Sequence, residues 1–293
     1  MIIKRTFSDH IADVTIIILL GCLAFLTIYP FYYIIVASVS NPEKLLYYNG
    51  ILLKPLGFTW GAYKLVFENP MISVGYKNTL LYVGFGTLIN MAMTTIGAYA
   101  LSRKGVFWAK PIMMIIIFTM YFSGAMIPSY LLITKFGWIN TIWAMIIPGA
   151  VWSWNLIIMR TNFKNVPESF EDSARIDGAS DFTILIRIFI PLSLPIMAVI
   201  TMYYAVGNWN SWFSAAIYLL DRRKHPLQLV LREILIINNA DQMMINVKKG
   251  ERSMLAETLK YSTIMVSTLP ILLIYPFLQK YFIKGVMIGG IKE

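Results

Sequence analysis

The sequence predicts an all-α membrane protein with six transmembrane helices, on the basis of its composition and of where its charges fall. Hydrophobic residues make up 58% of the 293 positions and charged residues only 14%, with a mean hydropathy of +0.65. Soluble globular chains carry about 45–50% apolar and about 25% charged residues, so an ordinary soluble enzyme is excluded. Six stretches contain no Asp, Glu, Lys or Arg, and each is long enough, or nearly so, to cross about 30 Å of hydrocarbon as a helix.

The charge-free stretches define the predicted spans of a single transmembrane domain over residues 1–293. These spans lie near residues 14–38, 78–101, 111–133, 141–159, 193–219 and 261–282. The first follows Lys4 and Arg5, as the apolar core of a signal peptide would. Its apolar run, however, is about twice as long as such a core and ends without a small-residue cleavage site, so we expect an uncleaved helix. The single cysteine, Cys22, lies in this run and excludes a disulfide framework or a Cys-based zinc site.

Six spans place both termini on the same side of the membrane, and the positive-inside rule predicts which side that is. With cytoplasmic termini, the inner segments hold 12 of the 25 basic residues and the outer segments hold 13. Eight of those 13 lie in the long loop 220–260, and without that loop the rule favours cytoplasmic termini by 12 to 5. The loop opens with residues 227–237, which we expect to form a helix lying on the membrane surface.

No catalytic constellation is present in the sequence. The two histidines, His10 and His225, lie in different loops without ligand partners at metal spacing, and no lysine directly follows a glycine, as a Walker A loop requires. The charge-free stretches also lack the ionisable groups that ion-coupled carriers place in the membrane to bind their coupling ion. Uphill transport by this chain would therefore draw its energy from another subunit, and we expect the chain to bind no cofactor or metal.

Residues 166–195 form the most informative local pattern. Pro167 suits the first turn of a helix, where its missing N–H needs no partner, and three acidic residues follow where the helix dipole favours negative charge. Gly178 then ends this helix with a left-handed cap, and Ser180 or Asp181 caps a second helix. We therefore predict two short helices joined at a bend, a shape suited to insertion into a groove of a partner protein.

This segment resembles the loop signature E-A-A-x3-G-x9-I-x-L-P of the inner membrane subunits of binding-protein-dependent ABC importers. The spacing is kept throughout: residues 172–174 read Asp-Ser-Ala, Gly178 follows after three residues, and 188–191 read Ile-Phe-Ile-Pro after nine more. Asp replaces Glu, Ser replaces Ala and Ile replaces Leu. The form SARIDGAS, the run Ala98–Arg103 and the pair Trp209-Asn210 look similar to the carbohydrate-uptake branch in particular.

The resemblance implies a type I ABC importer transmembrane domain of the maltose-transporter kind. Such a domain has six spans, cytoplasmic termini and a cytoplasmic coupling helix, here in the loop 160–190, and lies in the bacterial inner membrane. The implied partners are a second homologous permease subunit, most often forming a heterodimer, two ATP-binding subunits and an extracytoplasmic solute-binding protein. ATP and magnesium would be bound by the ATP-binding subunits, and no nucleic acid is involved.

The resemblance also assigns roles to residues of two loops. Residues 167–190 would dock into a cleft of an ATPase subunit, where the usual Glu is replaced by the shorter Asp172. The residues expected at this contact are Glu171, Asp172, Ser173, Ala174, Asp177, Gly178 and Ala179. In maltose-type importers the loop before the last span reaches into the binding protein, which would be residues 220–260 here, with the tip near 238–252. The basic residues expected at that contact are Arg222, Arg223, Lys248, Lys249 and Arg252.

The charge of the loop 220–260 has two explanations. A surface that meets an acidic binding protein, or that attracts an acidic sugar over a long range, would be basic. The loop holds eight basic against five acidic residues, however, and solvation alone explains an excess of that size equally well.

Polar and aromatic side chains within the spans are candidates for a sugar pathway, because aromatic faces stack on sugar C–H surfaces and amides hydrogen-bond to hydroxyl groups. The candidates are Tyr121, Trp152, Asn155, Asn208, Trp209, Asn210 and Trp212. Each one taken singly fits a structural role better, since amides also join helices and tryptophans mark the membrane interface. As a cluster, residues 208–212 are the better candidate for substrate contact.

The main hypothesis is a permease subunit of an ATP-driven importer for oligosaccharides. The long basic loop and the tryptophans near residue 210 look similar to those of importers for acidic oligosaccharides, such as alginate or aldouronate fragments. The alternative is a stand-alone carrier or channel, which would transport without an ATPase. A membrane enzyme acting on lipid-linked substrates would need a cluster of loop carboxylates or histidines, and the sequence offers no convincing one.

Overall fold

The computed structural model describes residues 7–122, 124–236, 258–273 and 276. Within these residues the chain is helical except for turns, loops and one isolated bridge between Ser40 and Phe58, in agreement with the predicted all-α class. In chain order the helices are α1 (Phe7–Ser38), α2 (Pro42–Leu46), α3 (Gly61–Glu68), α4 (Pro70–Ser102), α5 (Ala109–Tyr121), α6 (Met126–Lys135), α7 (Ile142–Ile146), α8 (Ser153–Lys164), α9 (Glu168–Ile176), α10 (Asp181–Ile184), α11 (Ile190–Leu192), α12 (Leu194–Trp209), α13 (Trp212–Tyr218), α14 (Leu227–Ile236) and α15 (Thr258–Leu273). A π-helical turn joins α10 to α11, and two 3-10 turns cover Ile147–Gly149 and Arg222–Lys224.

The chain divides into two compact units, and the first consists of residues 1–69 and 233–269. Its longest element is α1, which contains the first predicted span and is long and apolar enough to cross a membrane. The end of α1 packs against the segment that follows it, through a small core that includes Ala37 and Leu52. The side chain of Ser262 on α15 donates to the carbonyl of Ser38 at 3.1 Å, which fixes the end of α1 to α15.

The second unit, residues 70–232 and 270–293, is built around α4, which packs against α8 and α12. Helix α4 contains the second predicted span and is also long enough to cross a membrane. Glycines permit the close approach of its neighbours: a Cβ on Gly86 would lie 2.9 Å from Nδ2 of Asn208, and one on Gly207 would lie 2.1 Å from the indole of Trp152. Small residues at such crossings are typical of helices packed within membranes.

Three further predicted spans are each divided between helical segments, a division that the charge gaps did not predict. The span 111–133 is divided between α5 and α6, and the span 141–159 is bent by 50° around Pro148. The span 193–219 is divided between α12 and α13, and a break at Ser193 bends α12 by 88° from the helical segment before it. Proline lacks the N–H that continues a helix, which explains the breaks beside Pro148, Pro191 and Pro195.

The described residues thus contain two uninterrupted helices that could cross a membrane, or five crossings if each of three bent pairs crosses as one. The sixth predicted span, 261–282, is described only in part, as the apolar helix α15 and residue 276.

The helix expected at 227–237 is present as α14, but it does not lie free on a membrane surface. Its side chains Leu227, Leu229 and Val230 are buried within the protein. The N–H of Leu227 donates to Oγ1 of Thr79 on α4 at 2.8 Å, and a Cβ on Gly75 would lie 3.0 Å from the Cα of Leu227. The small side chains of α4 therefore form a cleft that accepts the first turn of α14, which corrects the prediction of a surface helix.

Candidate functional site

The segment between α8 and α12 folds into two short helices that meet at a sharp bend, here named the elbow (residues 168–184). The bend lies at Gly178, whose φ of +78° falls in the left-handed region that glycine adopts without strain. The N–H of Ala179 donates to the carbonyl of Ala174 at 2.9 Å and closes the end of α9. Of the two candidate caps, Ser180 caps α10 by accepting a backbone hydrogen bond on its Oγ. Both predicted helices and their glycine joint are therefore present.

Arg103, directly after the last residue of α4, holds the elbow to the rest of its unit. Its guanidinium donates to the carboxylate of Glu171 on α9 and to the carbonyl of Phe163 on α8, the latter from Nη2 at 3.3 Å. It also lies over two aromatic rings, 4.1 Å from the centroid of Phe189 and 5.0 Å from that of Tyr99. We name these five residues the Arg103 clamp. The side chains of Arg103 and Glu171 are only 15% and 14% exposed, and this shielding from water strengthens their attraction.

A second arginine, Arg175, forms ion pairs with both helices of the elbow. Nη2 of Arg175 lies 2.9 Å from Oε1 of Glu171 and 2.6 Å from Oδ1 of Asp181, so one guanidinium joins α9 to α10 across the bend. The hydrogen bond to Glu171 and the negative charge of Asp181 raise the pKa of Arg175 above its ordinary value. Arginine is charged at physiological pH in any case, so one cation bridges the two helices across the bend.

Three large apolar side chains of the elbow are exposed, and Phe170 on α9 is the least exposed of them at 49%. Ile176 is 87% exposed at the end of α9, and Phe182 is 66% exposed at the start of α10. Exposed apolar side chains rimmed by polar ones mark surfaces that bind another protein. Neither Ile176 nor Phe182 was predicted from the sequence as a contact residue, although they lie close to Gly178 on either side.

A cluster of polar side chains, which we name the amide network, lies where α4, α8 and α12 pack together. Nδ2 of Asn90 donates to the carbonyls of Gly149 and Ala150, at 2.6 and 3.1 Å, in the break between α7 and α8. Nδ2 of Asn208 donates to Oδ1 of Asn90 at 3.0 Å and to Oγ1 of Thr87 at 3.3 Å. Carbonyl groups freed by a helix break need such partners inside a membrane, so the network stabilises the broken helix.

Trp152 lies beside the amide network and fills the contact between α8 and α12. Its ring centroid is 5.0 Å from that of Tyr204, and its backbone N–H donates to the hydroxyl oxygen of Tyr204 at 3.0 Å. The same hydroxyl hydrogen-bonds with Oγ1 of Thr94 on α4 at 2.6 Å. The hydroxyl of Tyr204 on α12 therefore links α4 to the backbone at the start of α8.

The buried side-chain atoms that make no hydrogen bond within the part of the chain that the structure describes include the nitrogen donors of two predicted pathway residues, Nδ2 of Asn155 and Nε1 of Trp209. Asn155 lies on α8, and Trp209 is the last residue of α12, with its ring 6.5 Å from that of Tyr76. Because a buried donor without an acceptor costs free energy, both groups are candidates for binding an acceptor.

The residues 221–226, named the basic turn, are anchored on α4. The side chains of Asn78 and Tyr82 donate to three backbone carbonyls of this turn, at 2.8, 3.0 and 2.8 Å. Within the turn, Arg223 donates side-chain and backbone hydrogen bonds to Asp221, and these hydrogen bonds lower the pKa of the Asp221 carboxyl. The basic turn is thus a fixed surface rather than a loose loop.

Residues 93–288 match the family described as binding-protein-dependent transport system inner membrane component. The chain belongs to this family. It is consequently a multi-pass protein of the inner membrane, as its apolar helices also indicate.

Relatives of this permease family resemble the chain over almost its whole length. The polygalacturonan/rhamnogalacturonan transport system permease protein YtcP of Bacillus subtilis (strain 168) is 37% identical over 288 residues, which cover 97% of this chain and 99% of YtcP. Protein LplC of the same organism is 38% identical, covering 98% of this chain and 97% of LplC.

Two solved structures share the fold. A chain from a bacterial ABC transporter involved in the import of the acidic polysaccharide alginate matches with a TM-score of 0.87 and 32% identity, over 95% of this chain and 99% of that chain. A chain from the alginate ABC transporter in complex with an alginate pentasaccharide-bound periplasmic protein matches with a TM-score of 0.58, over 92% and 96% of the two chains. At 14% identity, that second match shows the fold alone.

The residues expected at the ATPase contact of this permease differ in how exposed they are. Glu171 is turned into the Arg103 clamp. The exposed residues are Asp172, Ser173, Asp177 and Gly178, and the half-buried ones, which pack on the core, are Ala174 and Ala179. Arg103 entered the sequence analysis only as the end of a motif, because nothing in the sequence pairs it with a glutamate 68 positions away.

The predicted pathway residues also fall into two groups, one buried among the packed helices and one at helix ends. Trp152 and Asn208 lie together at the amide network, with Asn155 and Trp209 buried on the same helices. The others lie at helix ends: Tyr121 is exposed at the end of α5, Asn210 is exposed after α12, and Trp212 is half-buried at the start of α13.

The residues expected to contact the binding protein are described only in part. Arg222 and Arg223 are exposed in the basic turn, whereas Lys248, Lys249 and Arg252 lie outside the described residues.

Proposed function

We propose that this chain is the membrane-spanning permease subunit of an ATP-driven importer of acidic oligosaccharides, such as alginate or aldouronate fragments, delivered by an external solute-binding protein. Its family supports the transport role, and the substrates named for YtcP and for the alginate transporter support the sugar class. Polygalacturonan and alginate are both polymers of uronic acids, so both present carboxylates along a sugar chain.

In this proposal residues 1–293 act as one transmembrane domain with six spans and cytoplasmic termini. The elbow then lies on the cytoplasmic side and the basic turn on the outer side. A second homologous permease subunit completes the pathway as a heterodimer, and two ATP-binding subunits bind ATP and magnesium. This chain binds no cofactor, and its contribution is to convert the movement of its partners into opening and closing of the pathway.

The elbow and its attachment through the Arg103 clamp are the observation that carries the proposal. A partner that grips the exposed Ile176 and Phe182 pulls on α9, and the clamp connects α9 to α4 and α8. Helix α4 also holds the amide network through Asn90. A contiguous, partly buried route therefore runs from the surface suited to an ATPase to the packed centre of α4, α8 and α12.

In this proposal the sugar pathway runs between α8 and α12. When α8 and α12 move apart, Trp152 and Asn208 face the opening, and the unpartnered donors of Asn155 and Trp209 become available to sugar hydroxyl groups. Trp212 and Asn210 extend this surface beyond the end of α12, and Tyr121 stays a predicted contact at the end of α5. Arg222 and Arg223 of the basic turn would meet the binding protein.

The experiment that tests the coupling role is a matched pair of variants at Gly178. No heavy atom lies within 4 Å of a Cβ built at Gly178, so a side chain there strains the backbone without a clash. Gly178→Val should reduce substrate-stimulated ATPase activity and uptake in the reconstituted complex, because β-branched residues avoid positive φ, whereas Gly178→Asn should keep most of both. Co-purification reports separately on assembly with the ATPase. If Gly178→Val retains wild-type assembly, ATPase activity and uptake, the coupling role is wrong and the stand-alone carrier becomes the better hypothesis.

A further inference from the structure

Arg232 on α14 holds an exposed positive charge against an aromatic face. Its guanidinium carbon lies 3.7 Å from the ring centroid of Trp212, well within the range of a cation–π contact. Within the described part of the chain, no carboxylate forms an ion pair with Arg232. The guanidinium is therefore positioned by a ring while its charge stays available.

The ring beneath Arg232 is itself fixed. Trp212 packs beside a buried cluster that includes Tyr82 and Leu229, and its backbone N–H donates to the carbonyl of Asn210 at 2.8 Å. A side chain seated on a rigid ring loses less conformational freedom when it binds a ligand than a free arginine does, so binding is favoured.

The surroundings of Arg232 are positive. Residues 221–232 contain four basic side chains and one acidic one, Asp221, which already pairs with Arg223. An anion that approaches this part of the second unit therefore meets an excess of positive charge.

We infer that Arg232, seated on Trp212, is a carboxylate-binding site that receives the uronate units of the oligosaccharide as it enters the pathway. This inference rests on the proposed function and specifies its substrate selectivity. The planar guanidinium fork binds a carboxylate through two N–H groups, and stacking one of its faces on an indole leaves those in-plane donors free. Asn210, exposed in the turn before Trp212, offers an amide to neighbouring hydroxyl groups.

The test compares an oligouronate with the same oligosaccharide after reduction of its carboxyl groups to alcohols. Uptake is measured in proteoliposomes that contain the complete importer, with each sugar at a concentration that saturates the binding protein. Arg232→Gln should lower oligouronate uptake roughly tenfold, the loss expected when one charged hydrogen-bonded contact is removed, and should change uptake of the neutral sugar less than about twofold. Trp212→Leu should lower oligouronate uptake in the same direction but less.

Lys135→Gln is the matched control, because Lys135 is also exposed and basic, at the end of α6, and has no part in the proposed pathway or binding-protein contact. It should change the uptake of either sugar less than about twofold. Arg232→Lys, which keeps the charge but loses the planar fork, should give an intermediate loss for the oligouronate. Co-purification of the partner subunits verifies that each variant assembles.

Four results would overturn the inference: an equal loss for both sugars, no loss for either, a Lys135→Gln effect as large as that of Arg232→Gln, or weaker docking of the sugar-free binding protein to Arg232→Gln. The last would assign Arg232 to a carboxylate of the binding protein. If the wild-type complex imports neither sugar with ATP, the proposed function itself fails. If it imports both and Arg232→Gln does not discriminate between them, only the inference fails.

Discussion

Replacing Arg103 by alanine removes the residue that ties the elbow to α4, and the contacts of the Arg103 clamp set the size of the effect. The variant loses the charged hydrogen bond to Glu171, the bond to the carbonyl of Phe163 and the contact with the ring of Phe189. Glu171 keeps Arg175 as a partner, so no carboxylate is left without a counter-ion.

A hydrogen bond to a charged group contributes about 1.5–3 kcal/mol and an exposed cation–π contact about 0.5–1 kcal/mol. Because Glu171 retains one of its two arginines, we expect a loss of about 2–3 kcal/mol in the free energy that holds α9 against α4. That loss raises the population of released elbow roughly 30- to 150-fold.

The assay is hydrogen exchange of the backbone amides of α9 in the assembled complex, read together with the sugar imported per ATP hydrolysed. Arg103→Ala should weaken the protection of these amides roughly 30- to 150-fold and should lower the amount of sugar imported per ATP. Lys104→Ala is the matched control, since Lys104 pairs with Glu168 on the same helix but is 84% exposed. Exposed pairs contribute about 0–1 kcal/mol, so protection should change less than about fivefold. Equal effects of the two variants, or unchanged protection and yield in Arg103→Ala, would refute the role of the clamp.

Three further outcomes are expected. Gly207→Ala should destabilise the purified complex by about 1–3 kcal/mol in thermal unfolding, because its Cβ would overlap Trp152, whereas Gly84→Ala, which meets no atom within 4 Å, should stay within about 0.5 kcal/mol. Asn208→Ala should cost about 0.6–1.7 kcal/mol of unfolding free energy if the amide network is structural; an unchanged stability with a raised KM for the sugar would assign Asn208 to the substrate instead. The carboxyl of Asp221 has a pKa below its usual value of 3.8, because Arg223 hydrogen-bonds to the charged form. The stabilisation that this hydrogen bond gives is therefore complete above the usual pKa and is lost as the pH falls through the lowered pKa. Asp221→Asn should therefore leave the shape of the pH profile of uptake unchanged around neutral pH, and an altered neutral profile would contradict this assignment.

The helical class, two of the spans and the elbow could be predicted from the sequence because each rests on local chemistry. The charge gaps that define α1 and α4 reflect the cost of charge in hydrocarbon, and the elbow follows from Pro167 and Gly178 acting on their own backbone. The breaks at 147–149 and 193 were missed, although their prolines are visible, because hydropathy reports only whether a segment is apolar and not whether it is straight.

The candidate site was predicted less completely because its contacts are distant in sequence. Glu171 was expected at a partner's surface, yet it faces Arg103, and only the packing of α9 on α4 brings the two together. Arg232 and Trp212 are separated by 20 positions and meet because α14 packs back onto the cleft of α4 around Gly75. Exposure was equally inaccessible, so Ile176 and Phe182 read as ordinary apolar residues of short helices.

The measurement that tests the central claim most directly is uptake of a labelled acidic oligosaccharide into proteoliposomes that contain this chain, its partner permease and the ATP-binding subunits. Uptake should require both ATP and the solute-binding protein, and proteoliposomes that contain this chain alone should take up none. Uptake by this chain alone, without ATP or a binding protein, would contradict the account.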